Sequence, residues 1–363
     1  RLGVYKMDVI HLSDTHLGYS EFHRIDPETG INQREQDVYD VFTGLIDRII
    51  KLDPDLVLHA GDLFDNVRPT NRAVNLATDQ FARLSEAGIH TILIAGNHDT
   101  PKIATTGTIT RALDRLPYID AVTSDIEGCN SGYKKIPSGP VLVHAVSDAP
   151  TEDELSERVK QLKPESNYKW NILVLHTGIS NLQEEVFSGE FNEHYVDRKL
   201  IEDIGFDYIA LGHYHKRLDI DFPSKTKAAY CGAPERFSFN ESSYEPGFLK
   251  VHLEDSVVNY EEELIETRDF IRLDPINAKD LSVEEIQNEI ISRLPDDREI
   301  DDSLISLKIV NIDDNSYSLL EEIYLNDVRK RAFETNFRAI SPDESDPENS
   351  SLAFSDLRTE FSD

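Results

Sequence analysis

Residues 56–66 read LVLHAGDLFDN. An apolar run stops at Gly61, and two aspartates, Asp62 and Asp65, follow within four residues. Such a run ending at a glycine has the length and composition of a buried strand. An Asp directly after it is ordinarily a turn residue or a helix cap. The alternative is that Asp62 holds something, and the other strand ends decide between the two.

Short apolar runs of the same kind recur from Asp8 to about Tyr260: DVIHL, DLVLHA, HTILIAG, VLVHAV, NILVLH, DYIALG, KAAYCG and FLKVHL. Between the first three lie amphipathic stretches, Arg34 to Lys51 and Asn71 to Ala87, long enough to be covering helices of parallel crossovers. From about Val141 the runs come with fewer helices, which predicts a second sheet. After Glu261 the pattern restarts as a small β-α-β-α set: RDFIRL, SVEEIQNEIISRL, SLISLKIVNI and SLLEEIYLNDVRKRAF. The expected organisation is therefore a first domain over 7–260 and a second over 261–338. An acidic, Pro- and Ser-rich tail over 339–363 has little to bury and is expected to be disordered. Residues 1–6, ahead of the only methionine, are left out of the fold expectation.

Polar residues follow five of these runs. Asp14 and His16 follow the first, Asp62 the second, Asn97 and His98 the third, His176 a later one, and His213 with His215 the next. All emerge at the carboxyl ends of strands, where α/β sheets bind ligands. A spacing of two in an extended segment points the rings of His213 and His215 to one side. Singly, each residue has an ordinary reading as a cap or a strand-end histidine. Their joint occurrence at five strand ends points instead to a mixed set of carboxylate, imidazole and amide donors that suits manganese, iron or zinc and contains no thiolate. His11, His59, His144 and His252 lie inside apolar runs and are read as structural.

The 37 Lys and Arg residues against 69 Asp and Glu give a net charge of -32. This excludes a broadly basic surface of the kind that binds duplexes by charge alone. It fits a salt-adapted, archaeal source, since at ~1 M salt the Debye length falls to about 3 Å and surface repulsion is screened. Arginines outnumber lysines, in agreement. Two cysteines, Cys129 and Cys231, allow no disulfide framework, and a reducing, cytoplasmic setting is expected. No apolar stretch approaches the ~18 residues of a membrane span, so no membrane partner is expected.

The ordered set D-x-H, G-D-x-x-D, G-N-H-D, H and G-H-x-H resembles that of the calcineurin-like metallophosphoesterases, over Asp8 to about Tyr260. Within them, SDTHLGY, HAGDLFDNVRPT, LGHYHK and YCGAPERFSFNE are similar to the nuclease subunit of the double-strand-break repair complex, the meiotic-recombination-eleven nuclease called SbcD in bacteria. The resemblance implies an α/β fold: a two-sheet αββα sandwich flanked by helices, followed by a small α/β DNA-capping domain. It implies two divalent metal ions, manganese foremost, one held by Asp14, His16 and His215, the other by Asn97, His176 and His213, with Asp62 bridging. His98 matches the family's catalytic histidine. Tyr19, His23 and Arg68 match positions near the DNA groove. Asp65 stands where some relatives carry histidine, and is either a partner of His98, a ligand or a turn residue.

The activity so implied is metal-dependent DNA cleavage in double-strand-break repair, as double-strand exonuclease and single-strand endonuclease. The implied partners are DNA, an SbcC-like coiled-coil ATPase and a second copy of the chain. Two alternatives share the motifs: a small-molecule or cyclic-nucleotide phosphodiesterase, which the acidic surface would suit, and an inactive scaffold for the ATPase. A protein phosphatase fits less well, because Asn66 and Asp99 stand where that group usually has Arg and Glu.

Overall fold

The computed structural model describes residues 6–22, 24–101, 107–124, 132–180, 182, 194–255, 257–294 and 300–342. The chain divides into two compact units, one of Arg1–Arg236 with Ser243–Thr267, the other of Phe237–Ser242 with Arg268–Asp363.

The first unit is built from two six-stranded sheets. The chain lays down β1 (Lys6–Leu12), β2 (Leu56–His59), β3 (Thr91–Ile94) and β4 (Ile119–Val122) as parallel neighbours. Helices α1 (Gln33–Leu52) and α2 (Asn71–Glu86) connect the first three. The second sheet follows with β5 (Tyr133–Ser138), β6 (Val141–Val146) and β7 (Trp170–His176). A two-residue pair, β8 (Gly178–Ile179) and β9 (Tyr195–Val196), precedes β10 (Tyr208–Gly212), β11 (Leu218–Asp221) and β12 (Lys227–Tyr230). The chain then returns to the first sheet with β13 (Gly247–Glu254) and β14 (Val257–Leu264), giving the order β14-β13-β1-β2-β3-β4 against β11-β12-β10-β7-β6-β5. Helices α3 (Glu152–Lys160) and α4 (Arg198–Ile204) belong with the second sheet.

Alternation along the strands explains the layering. Ile172 and Val174 of β7 join Val9, Leu58 and Ile92 of the first sheet in one apolar cluster, while Leu173 and Leu175 pack with Leu155, Val159 and Ile201 of α3 and α4. β7 is thus buried on both faces, each such side chain contributing ~1.5–3 kcal/mol. On α1, Val38, Phe42, Leu45 and Ile49 form a buried stripe at helical spacing, and Phe42 meets Phe81 of α2 at 6.4 Å between ring centres. His11 lies inside β1 as a structural residue: its Nε2–H donates to the Leu211 carbonyl (3.2 Å), and Tyr208 donates its hydroxyl to Nδ1 (2.8 Å). Burial lowers its pKa to about 3, so a neutral imidazole ties the two sheets together.

The second unit has an all-parallel sheet in which β17 (Leu304–Val310) pairs with β15 (Phe270–Arg272), β16 (Ile276–Asn277) and β18 (Glu334–Ile340). Helix α5 (Val283–Arg293) starts at a capping box made by Ser282 and Glu285 and buries Ile286 and Ile290 with Ile305, Leu307 and Ile309.

Three expectations change. The boundary expected at 260/261 falls inside β14, whose polar sequence hides a strand that pairs along its whole length with β13. Ala339 and Ile340, expected in the tail, end β18, where Ile340 is buried; residues 343–363 lie outside the described part. Lys6, set aside with the residues ahead of Met7, opens β1. Among the described residues, no helix is long and apolar enough to cross a membrane.

Candidate metal centre

The loops leaving β1, β2 and β3 of one sheet and β10 of the other, together with His176 at the end of β7, carry the predicted donors. Two of these loops are laced together by their backbones: Asp14 N–H donates to Gly61 O (3.0 Å), and the Thr15 and His16 N–H groups both donate to Asp62 O (2.9 and 3.2 Å). The Thr15 hydroxyl adds a bond to Leu63 O. Turning the chain this sharply puts Asp14 (φ 53°), His16 (φ 43°), Asp62 (φ 54°) and His213 (φ 104°) in the left-handed region. Non-glycine residues there are strained and tend to cluster at functional sites.

Two glycines explain why the motifs read G-D and G-N. Gly61 has φ +98°, and a Cβ on it would lie 2.7 Å from Cγ of the His176 ring. A Cβ on Gly96 would stand 2.6 Å from the Asp62 backbone nitrogen and closer still to its carboxylate. We therefore expect Gly96→Ala to displace Asp62 and lose bound metal while the core stays folded. Metal analysis beside a thermal melt checks this, and full metal content would refute it.

The donors converge. His16 Nε2 faces His215 Nε2 at 3.1 Å and lies 3.9 Å from Asp62 Oδ2. His176 Nε2 lies 3.1 Å from Asp62 Oδ2, 3.0 Å from Asn97 Oδ1 and 4.0 Å from Asp14 Oδ1. Single donor atoms of Asp14, His16 and His215 lie within 4.8 Å of one another, as do those of Asp14, Asp62 and His176. The His213 ring packs edge-on to His176 at 5.3 Å, and the His213 N–H donates to the Asp14 carboxylate (3.1 and 3.2 Å). His213 and His215 do not sit in an extended segment as expected. They occupy a bend after β10, so one ring goes toward His176 and the other toward His16.

The electrostatics show what the centre takes. His176 Nδ1–H is committed to the Ala60 carbonyl (2.7 Å), which aims Nε2 into a set of oxygens. Burial disfavours charge on this ring, yet the Asp62 and Asp14 carboxylates raise its pKa to about 10. Burial likewise opposes ionisation of Asp62, but the His176 charge holds it below the usual carboxylate range. Burial and the neighbouring His215 and His98 keep His16 far below its ordinary value. The buried carboxylates of Asp14 and Asp62 thus draw positive charge into the centre, here as a proton on His176, while His16 stays neutral, and this mixed O/N donor set fits divalent metal ions.

His98 donates its backbone N–H to Asp62 Oδ1 (2.9 Å) and its Nδ1–H to the Asp65 carbonyl (2.7 Å). Its ring lies 4.8 Å from that of His16, and one donor atom each of His16, Asp62 and His98 fall within 4.8 Å. Distance alone thus brings His98 among the metal-binding candidates. The Asp65 side chain turns toward His16, 3.6 Å from Nδ1, and it is the Asp65 backbone that meets His98. Tyr19, half-buried, donates its N–H to His16 O; Arg68 is exposed; His23 lies outside the described residues.

One residue of the G-N-H-D motif has a role that the sequence does not show. Asp99 is fully buried and accepts the N–H groups of Leu63 and Phe64 (3.0 Å each) and of Gly96 (3.2 Å), bracing the G-D loop against the G-N-H loop. Burial and the charge on Asp62 push its carboxyl up to about 7 against those three amides. Its only signal in the sequence is its place directly after Gly96, Asn97 and His98, where a turn aspartate reads the same.

The calcineurin-like phosphoesterase family model matches residues 7–217. The chain is similar to the DNA double-strand break repair protein Mre11 of Methanocaldococcus jannaschii, 31% identical over 292 residues that cover 76% of this chain and 70% of that protein. It is 34% identical over 234 residues to the Sulfurisphaera tokodaii protein of the same name, covering 63% of this chain and 54% of that one. With the Methanococcus maripaludis Mre11 protein it shares 25% over 362 residues, 91% of this chain and 93% of that one. The chain thus spans about half the length of the Sulfurisphaera relative and most of the Methanococcus one. Since the family match covers the strand ends that carry the donors, and the Methanocaldococcus similarity three quarters of the chain, the chain belongs to the calcineurin-like phosphoesterases and, within them, is Mre11-like.

Proposed function

We propose that this chain is a metal-dependent DNA nuclease of double-strand-break repair, acting as an exonuclease on duplex ends and an endonuclease on single strands. The observation that carries the proposal is the convergence of seven donors, from Asp14, His16, Asp62, Asn97, His176, His213 and His215, with His98 braced beside them by its Nδ1–H bond to the Asp65 carbonyl. Asp14, His16 and His215 would hold one ion and Asn97, His176 and His213 the other, both shared by Asp62, with manganese the expected metal. Bound, such ions neutralise a phosphodiester and activate attacking water. The imidazoles and the Asn97 amide oxygen are neutral donors, so they leave the positive charge of the centre largely uncancelled. His98, with Nδ1 committed, holds its exchangeable proton at Nε2, from where it protonates the leaving sugar oxygen.

In this proposal the second unit caps the DNA, Tyr19, His23 and Arg68 border its path, and an SbcC-like coiled-coil ATPase and a second copy of the chain complete the assembly. The acidic composition favours one other reading, a phosphodiesterase for small substrates. Purified protein with manganese, offered labelled duplex and single-stranded DNA beside bis-p-nitrophenyl phosphate and cyclic nucleotides, separates the two. Cleavage of both DNA forms is expected, and turnover confined to the small substrates would overturn the nuclease.

Two further results are expected. Without metal, His176 carries a proton at neutral pH, so metal must displace it. Affinity should rise with pH, and calorimetry in buffers of different ionisation enthalpy should register proton release; binding without it would contradict the ligand role of His176. If the net charge of -32 is an adaptation to salt, the melting temperature should climb as potassium chloride rises from ~0.1 M to ~1 M, because screening relieves self-repulsion. A flat or falling series would count against a halophilic origin.

A further inference from the structure

The chain passes between its two units three times, after Arg236, after Ser242 and after Thr267. One residue holds the first unit's end of all three passages. Arg236 is itself the last residue before the first. Its Nε–H donates to the carbonyl of Tyr244, two residues past the second, and its Nη1–H to the hydroxyl of Thr267, the last residue before the third (2.8 and 2.9 Å). Tyr244 and Thr267 lie in no helix or strand, so neither is placed by regular structure of its own.

The backbone repeats this arrangement one step further into the unit. Gly247 N–H donates to Ala233 O (3.2 Å), joining the first passage to the second, and Ile265 N–H donates to Pro246 O (2.9 Å), joining the second to the third. The segment 233–236 is also fixed at both ends. Ala233 N–H donates to the carbonyl of His215, a candidate donor of the metal centre (3.0 Å), and Arg34, fully buried in the first turn of α1, donates from Nη2 to the Arg236 carbonyl (2.7 Å). Arg34 is held in turn by Asp37 (2.8 Å) and the buried Glu235 (3.5 Å). Glu235 and Arg236 come from the YCGAPERFSFNE motif at 230–241, and the metal centre leaves them unused. The two acceptors of the Arg236 side chain explain why an arginine stands here: Nε and Nη1 are donors in one rigid plane, and the single nitrogen on a flexible lysine stem could not hold both acceptors in that geometry.

We propose that Arg236 is a clasp. It fastens the three passages at one point, tied to the metal centre through the His215 carbonyl, and through them it serves the binding of duplex DNA with no part in hydrolysis itself. The role on DNA rests on the nuclease reading, whereas the clasp rests on the bonding within the first unit.

Hydrogen exchange of the full chain tests the clasp without reference to activity. In Arg236→Met the amides of Gly247 and Ile265 are expected to exchange ~10-fold or more faster, the scale of one lost hydrogen bond to a charged group, while those of β7 and β17 keep their wild-type rates. Unchanged exchange at Gly247 and Ile265, or a rise spread over the whole chain, would overturn the clasp. Arg236→Lys keeps the charge and loses the fork, so full wild-type protection in that variant would overturn the two-armed bond. Thermal melts establish folding, and where Arg236→Met does not fold, Thr267→Val, which removes one arm alone, carries the test with a smaller expected rise. Kinetics test the role on DNA. In Arg236→Met the KM for duplex is expected to rise ~3-fold or more at an unchanged kcat, because only the fastened fraction of molecules is competent, with hydrolysis of bis-p-nitrophenyl phosphate unchanged. Equal losses on both substrates, or unchanged duplex kinetics, would overturn the positioning role. A wild type that cleaves no duplex would sink the nuclease reading and the role on DNA with it, while the exchange rates still decide the clasp.

Discussion

Asp62→Asn is expected to lose bound metal and hydrolysis together, more completely than a change at any other donor. The Asp62 carboxylate stands between the two groups of nitrogens, 3.9 Å from His16 Nε2 and 3.1 Å from His176 Nε2, while its other oxygen takes the His98 N–H. A shared carboxylate is the one donor whose loss lowers the affinity of both positions, and several kcal/mol of charge stabilisation correspond to ~10³-fold or more in rate. Asparagine is the cleaner substitution because the backbone here is left-handed (φ 54°), a conformation Asn tolerates and Ala does not. It keeps the shape and an oxygen for the His98 N–H and removes the charge. Metal analysis and hydrolysis of bis-p-nitrophenyl phosphate, measured side by side, decide the matter. Near-normal metal at both positions would contradict the shared role.

The strand ends were legible because two signals coincide there. An apolar run terminates, and a residue that prefers neither a strand nor the core follows it, five times in one order. Where a strand is polar the first signal fails: β14 reads VVNYEEEL and presents most of its side chains to solvent, so the boundary seemed to come too early. Ala339 and Ile340 were masked by the acidic residues behind them, although β18 runs through both. Loop conformation is harder still. The spacing of His213 and His215 suggested a common side, but the left-handed turn at His213 sends the rings to different neighbours, and nothing in G-H-x-H encodes that torsion. Asp99 is the deepest omission, since a carboxylate that gathers three backbone amides from two loops looks, in sequence, like any turn aspartate. What sequence conveys well is which groups collect; which of them touch is decided by backbone turns that several sequences could make.

His98→Gln is expected to keep its metal and lose its rate, whereas His213→Ala loses both. The two residues lie in the same centre, and distance does not separate them, since His98 shares a 4.8 Å cluster with His16 and Asp62. Their bonding does. The His98 Nδ1–H is held by the Asp65 carbonyl, and the ring is half-exposed, so Nε2 can meet substrate. The His213 side chain is buried against His176, with its backbone N–H on Asp14, so it sits among the candidate donors and away from solvent. Removing a positioned general acid costs ~10²-fold or more in rate. Glutamine at residue 98 keeps the backbone N–H to Asp62, so the Asp62 carboxylate stays oriented. Metal content measured beside the rate supplies the second readout: a lost acid leaves both ions bound, which a disturbed metal site would not do. His98→Gln that sheds metal in step with activity, or that cleaves DNA at nearly the normal rate, would show that His98 is not the proton donor.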